Sequence, residues 1–175
     1  MAPGRYEPVH WRGPCASQGR PGRHRATRCQ IETLAGDATI AHATAYAALL
    51  EALGSGEAPA RSQWLRAIAL ELERLANHAG DLGALANDVA FLPTASACGK
   101  IRGDFLNLSA LLCGNRFGRG LVLPGGCRHD LEPGRAALLR ERLGAALREV
   151  QEAASWFWDA ASVRVRLEGV GALLA

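Results

Sequence analysis

A stretch between two prolines constrains this chain more than any other part of its sequence. Residues 61–91 contain no proline and are rich in alanine, leucine, arginine and glutamate. Pro59 and Pro93 fit the two limits of the stretch. Its apolar side chains recur at spacings of three and four, on one stripe of a helix: Leu65, Ile68, Leu72, Leu75, Ala79, Leu82, Ala86 and Val89. The sequence therefore predicts one long central helix of about 45 Å.

A second, polar stripe follows the same spacing beside the apolar one. Its members are Glu71, Arg74, His78, Asp81, Leu85 and Asp88. Because this stripe borders the apolar seam, we expect several members to be partly buried and paired with one another. Two interpretations stay open: a solvated face held by ion pairs, and the polar lining of a pocket in which His78 exchanges protons.

The remaining segments also favour helices. Alanine and leucine predominate and β-branched residues are sparse, which is typical of an all-α fold. Further helices are predicted at 39–53, 100–113 and 131–161, with Asp37 and Asp130 as N-caps of the first and last. The predicted architecture is a bundle of about four helices with the long helix at its centre. The side chains expected inside are Ile40, Ala43, Tyr46, Ala47, Leu50, Leu53, Ile101, Phe105, Leu108, Leu112, Leu138, Leu139, Leu143, Leu147 and Val150.

The N-terminal segment differs in composition from the rest of the chain. Residues 1–30 mix glycine, proline and arginine without periodicity, with six arginines against one glutamate. Such a segment buries too little apolar surface to fold, so we predict a disordered basic tail. A basic arm for nucleic acid or a membrane is the alternative. Residues 31–175, the predicted helical domain, hold 14 basic and 16 acidic residues, which excludes a nucleic-acid surface there.

Several classes of site and location are excluded or weakly indicated. No apolar run reaches the roughly 20 residues that span a bilayer, and the N-terminus lacks the apolar region of a signal peptide. The five cysteines are widely spaced without a Cys-x-x-Cys pair, which indicates reduced thiols in a cytosolic setting. Cys127 and His129 are only two of the four ligands of a closed zinc site, so an ordinary loop is favoured there. The glycine-rich segment 114–126 lacks the strand and helix context of a nucleotide fingerprint.

Several blocks of the sequence together point to one protein family. They read GDATIAHATAYAALLEAL (36–53), PARSQWLRA (59–67), ELERLANHAGDLGALANDVAF (71–91), GNRFGRGLVLPGG (114–126) and LEGVGAL (167–173). These blocks resemble the large subunit of group 4 (hydrogenase-III) nickel–iron hydrogenases and, more distantly, the 49 kDa D component of complex I, the respiratory NADH-quinone oxidoreductase. The resemblance implies a fragment of that helical fold.

The departures from this family limit the function that the resemblance implies. The family binds nickel and iron through two Cys-x-x-Cys pairs, and the first pair would fall at Ala35 and Ala38, where alanine supplies no thiolate. The second pair belongs to a C-terminal portion absent here, so we expect 31–175 to be incomplete, as its apolar end also indicates. Leu123 replaces the family's arginine before Pro-Gly-Gly. We therefore predict that this chain binds no nickel–iron centre and no other metal or cofactor.

The complex I side of the family implies quinone as the substrate. The resemblance places His78 and Asp88 on the helix that borders the quinone cavity, and His42 near the loop that held metal ligands. A histidine–carboxylate pair there would protonate reduced quinone, because imidazole titrates near neutral pH. Arg74 would keep a neighbouring carboxylate ionised. His42 taken alone is also explained as a structural histidine.

The implied function is therefore that of one subunit of a larger oxidoreductase. The assembly would be a membrane-associated NADH:quinone oxidoreductase or a hydrogenase-like electron-transfer complex, in which NAD and quinone are bound. Its other members would be a small iron–sulfur subunit and membrane subunits, and the chain would lie in the cytoplasm at the inner face of the cell membrane. The alternative is a non-catalytic truncated or degenerate fragment, acting at most as a helical interaction module.

Overall fold

The computed structural model describes residues 27–54 and 56–171 as a helical bundle, which confirms the all-α fold class. Residues 27–31 are helical. The elements that follow are α1 (Thr39–Leu53), α2 (Ala60–Asp88), α3 (Leu92–Cys113), β1 (Val122–Leu123), β2 (Gly126–Cys127), α4 (Pro133–Asp159) and α5 (Ala161–Leu167).

The long central helix is present as one unbroken element, α2. All eight members of its predicted apolar stripe are buried or half-buried. α2 packs along α3, and α3 packs along α4 on its other side. The prediction of one long helix across this stretch is therefore confirmed.

α3 begins eight residues earlier than the sequence predicted. It starts at Leu92 rather than residue 100, and Pro93 lies in its first turn. Proline fits there because the first N–H groups of a helix have no intrahelical partner. The chain reverses between α2 and α3 through Ala90, whose φ of 57° is left-handed. Pro93 thus opens the next helix rather than only closing the long one.

Neither predicted N-cap is used. The N-cap of α1 is Ala38, and that of α4 is Glu132, which makes no side-chain capping hydrogen bond. Asp130 instead accepts hydrogen bonds from the N–H of Leu131 and from Nε of Arg61 at 2.7 Å. Both predictions were wrong because Asp130 binds Leu131 and Arg61, and the Asp37 carboxylate binds Arg102 of α3.

Two side chains predicted to be inside the fold are exposed. Leu53 is 67% exposed as the last residue of α1, and Leu147 is 39% exposed in α4. The buried positions around it on α4 include Ala146 and Ala153, whose small side chains allow close approach to α3. Spacing alone does not distinguish an alanine-based contact face from a leucine-based one.

A small antiparallel hairpin, which the sequence did not reveal, interrupts the helices. Val122 pairs with Cys127 and Leu123 with Gly126. The buried guanidinium of Arg66 on α2 donates to the carbonyl oxygens of Leu123 and Gly126 at 2.8 and 3.1 Å. The glycine-rich segment is therefore attached to the central helix.

Parts of the predictions fall outside the described residues. Of the predicted tail at 1–30, only 27–30 are described, and these are helical. Residues 172–175 of the apolar end also lie outside. Within 27–54 and 56–171, no helix combines the length and hydropathy needed to cross a membrane.

Candidate functional site

The loop at residues 35–38, where the resemblance would place the first cysteine pair, lies against α2. α1 starts directly after it, and Ala38 has no side chain that caps the free N–H groups of the first turn. Glu73 of α2 takes this role, because its two carboxylate oxygens accept the N–H groups of Ile40 and Ala41 at 2.7 and 3.0 Å. The helix N-terminus is therefore capped by a residue 33 positions away from Ile40.

Two further side chains hold the same loop. Asn77 of α2 donates to the backbone oxygen of Asp37 at 2.7 Å. Arg102 of α3 contacts the Asp37 carboxylate at 3.0 Å. The name loop clamp is used below for Glu73, Asn77 and Arg102, which together attach residues 37–41 to α2 and α3.

Two cavities adjoin residues of the loop clamp. A small one of about 20 Å³ has room for about one water molecule. Its polar lining residues are Asp37, Glu73, Asn77, Arg102, Ser109 and Arg116. An open cleft of about 510 Å³ lies between α2 and α3, lined by Asp37, Asn77, Asp81, Arg102 and glycine and alanine residues. The lack of large side chains on both helices leaves this cleft open.

Glu73 is the carboxylate of this region whose pKa is shifted by its surroundings. Burial raises its pKa above 4.5, and the N–H groups of Ile40 and Ala41, together with the charge of His42, oppose that rise. The charge of Asp37 adds to the rise. Because the folded pKa is above the unfolded one, ionisation of Glu73 costs stability as pH rises from 4.5 through the folded value.

The predicted polar stripe is an exposed face of α2 in this chain. Glu71, Arg74, His78, Asp81, Leu85 and Asp88 are all exposed, so the expected partial burial was wrong. Arg74 pairs with Glu71, as predicted. Within the described ranges, His78 makes no ion pair with Asp81 or with Glu71, the partner of Arg74. Neither His78 nor Asp88 lines the two cavities. Their proposed proton role remains a prediction.

His42 is the one predicted site residue that lies beside the loop clamp. It follows Ala41 in the first turn of α1, is half-buried, and its charge acts on Glu73. Sequence reasoning missed Glu73, Asn77 and Arg102. The only signal for them was indirect, because alanine at position 38 leaves the start of α1 without a local cap.

The residues at the loop do not fit a nickel–iron centre. Ala35 and Ala38 end in methyl groups, which offer neither the thiolate nor any other ligand. Asp37 is already paired with Arg102. Elsewhere in the described part of the chain, no cluster of three histidine, cysteine or acidic residues is placed to hold a metal, and Cys127 is buried beneath Arg66 and Ser62.

Comparison with known proteins supports the resemblance to hydrogenase-type large subunits. No family model matches. Formate hydrogenlyase subunit 5 of Escherichia coli (strain K12) is 32% identical over 134 residues, 77% of this chain and 24% of the relative. The D component of NADH-quinone oxidoreductase from Thermosipho melanesiensis is 30% identical over 129 residues, 73% of this chain and 35% of the relative. Membrane-bound hydrogenase subunit alpha of Pyrococcus furiosus is 27% identical over 100 residues, which are 57% of this chain and 23% of the relative.

These similarities confirm the family resemblance. The chain is a homologue of the family that contains the hydrogenase-III large subunit and the D component of NADH-quinone oxidoreductase, over about three quarters of its length. It spans between 23% and 35% of the length of the relatives named above.

Proposed function

We propose that this chain is a subunit of a membrane-associated NADH:quinone oxidoreductase or hydrogenase-like electron-transfer complex, and that it binds no nickel–iron centre. The observation that carries the proposal is similarity to both kinds of subunit over comparable shares of the chain, 77% and 73%. The alanines at positions 35 and 38 favour the quinone branch, because metal chemistry needs ligands that they do not supply.

The chain's part in the reaction would be to deliver protons. In the proposed assembly, a cluster of a small iron–sulfur subunit passes two electrons to quinone, which takes up two protons to become quinol. His78 and Asp88 lie on the exposed face of α2, where a partner or an acceptor can approach them. The protonated imidazole of His78 is suited to give up one proton, and a protonated carboxyl group at Asp88 the other.

The exposed polar face of α2 also supports a role inside an assembly. The exposed charged stripe along α2 can contact a surface of complementary charge on another subunit. Such charges give contacts between proteins their specificity. We propose the small iron–sulfur subunit as the neighbour on this face, with membrane subunits completing a complex at the cytoplasmic side of the cell membrane.

Replacing His78 with alanine tests this function. In the assembly purified through a tag on this chain together with the products of neighbouring genes, we expect quinone reduction to fall at least about tenfold, because a general acid is lost. His129→Ala is the matched control, since His129 is also exposed and lies outside the proposed site. Equal rates in the two variants would remove His78 from the mechanism.

A second candidate function is a non-catalytic helical interaction module. It is favoured by large apolar side chains at the surface, among them Trp64, Trp156 and Trp158, which are 72%, 52% and 69% exposed. Exposed aromatic side chains are typical of protein contact surfaces. If the assembly reduces quinone equally well after this chain is removed, the interaction module would be favoured over the catalytic subunit.

A further inference from the structure

Glu73 of α2 binds the backbone at the start of another helix, α1, rather than an oppositely charged side chain. Its two oxygens bind successive N–H groups, those of Ile40 and Ala41, across the gap between α2 and α1. A carboxylate at a helix N-terminus is stabilised both by these hydrogen bonds and by the helix dipole. Glu71, two residues away on the same helix, is exposed and pairs with Arg74. The two carboxylates therefore differ in what they hold, although they are neighbours in sequence.

We propose that Glu73 is a positioning residue, whose carboxylate fixes the first turn of α1 and thereby holds His42 beside the loop at residues 35–38. The inference deepens the proposed function and rests on it only in taking the loop at residues 35–38 to belong to the reaction site. The position itself follows from the hydrogen bonds, because Ala41, the residue before His42, is bound directly by Glu73 at 3.0 Å.

Every element packed around Glu73 contributes a charged or titratable group. His42 comes from α1 and Asp37 from the loop before it. Arg102 of α3 and Arg116 of the following loop line the same small cavity. Arg102 is engaged with Asp37, so His42 is the group on α1 whose charge favours the ionised form of Glu73. The protonation of Glu73 is therefore expected to respond to the charge of His42.

The loop clamp explains why this geometry persists without metal ligands. Asn77 holds the backbone of Asp37, Arg102 holds its side chain, and Glu73 holds the start of α1. Three side chains from two packed helices thus fix both ends of the short segment that leads to His42. Removal of Glu73 leaves two N–H groups of the first turn without their partner, and Ala38 offers no replacement.

Nuclear magnetic resonance of the full 175-residue chain tests the positioning role. The amide shifts of Ile40 and Ala41 and the side-chain carboxyl shift of Glu73 are followed against pH. We expect all three to change together with a midpoint above 4.5, the direction of the raised pKa of Glu73. Glu73→Gln should abolish the amide titration and raise hydrogen exchange at both amides about tenfold, the effect of one lost hydrogen bond.

Two matched variants separate a positioning role from a merely structural one. Glu71→Gln should leave the amide titration unchanged, because Glu71 does not contact α1. His42→Ala should move the Glu73 midpoint upward, because the charge that favours its carboxylate is removed. An unchanged midpoint in His42→Ala would overturn the proposal, as would persistence of the amide titration in Glu73→Gln.

The test remains decisive if Glu73→Gln fails to fold, because wild type and His42→Ala alone give the midpoint comparison. It uses no electron acceptor, so failure of quinone reduction in the assembly leaves its result standing. Conversely, an unchanged midpoint would remove the Glu73–His42 coupling while leaving the family assignment and the His78 experiment untouched.

Discussion

Replacing Arg66 with methionine should lower the free energy of unfolding by about 3–5 kcal/mol, because it leaves a buried carboxylate without its partner. The side chains of Arg66 and Glu51 are only 7% and 11% exposed, and they form two hydrogen bonds, at 2.6 and 3.1 Å. The same guanidinium holds the hairpin through the oxygens of Leu123 and Gly126. One substitution therefore disconnects α1, α2 and the hairpin at a single point.

The control for this prediction is Arg61→Met. Arg61 also pairs with a carboxylate, that of Asp130 at 2.7 Å, but its side chain is 56% exposed. An exposed pair contributes about 0–1 kcal/mol, so urea unfolding should separate the two variants clearly. Similar losses in both variants would show that the Arg66 network is not buried as described.

The Arg66 pair should also make stability depend on pH. Burial by itself would raise the pKa of Glu51, but hydrogen bonds from Arg66 and from the N–H of Gly125, with the charge of Arg66, together lower it below 4.5. The stability from the ionised carboxylate is therefore present above pH 4.5 and is lost as pH falls through the lowered folded pKa. The difference between wild type and Arg66→Met should shrink in that acid range.

Gly118→Ala should cost about 2–4 kcal/mol, the second large effect, since it combines a strained backbone with a steric clash. Gly118 has a φ of 71°, and an added Cβ would lie 2.3 Å from Cδ1 and 2.7 Å from Cγ1 of Ile40. Ile40 is buried at the start of α1, so it has little room to move. The strain would therefore reach the helix turn that Glu73 caps.

Gly114→Ala is the matched control for Gly118→Ala. Gly114 ends α3 with a φ of 76°, but an added Cβ there meets nothing within 4 Å. Only the left-handed backbone penalty applies, about 1 kcal/mol. Thermal unfolding of both variants measures the difference, and equal melting temperatures would contradict the close packing of Gly118 on Ile40.

The sequence predicted those parts of the fold that depend on helical periodicity. The apolar stripe of α2 is inside, and Ile101, Phe105 and Leu108 of α3 are buried as expected. These predictions succeed because burial of one face dictates the spacing of apolar residues along a helix. The family resemblance, read from several blocks of sequence, is confirmed by the similarity to known relatives.

The site was predicted less well because its contacts join distant residues. Aspartate is a preferred residue type at helix N-caps, but the Asp37 carboxylate is bound by Arg102, 65 positions later. In the sequence, Glu73 is one charged residue among helix-favouring residues. Only the folded structure, in which α1 lies against α2, shows that Glu73 caps α1. His78 looked partly buried from its position beside the seam, yet a helix 29 residues long keeps such a flank in solvent when no neighbour covers it.

The measurement that tests the central claim most directly is a paired assay of the purified assembly for quinone reduction and for hydrogen uptake, with its nickel content. With alanines at positions 35 and 38, the expected result is quinone reduction without hydrogen uptake and without nickel in this chain. Hydrogen uptake together with one nickel per copy of this chain would contradict the account.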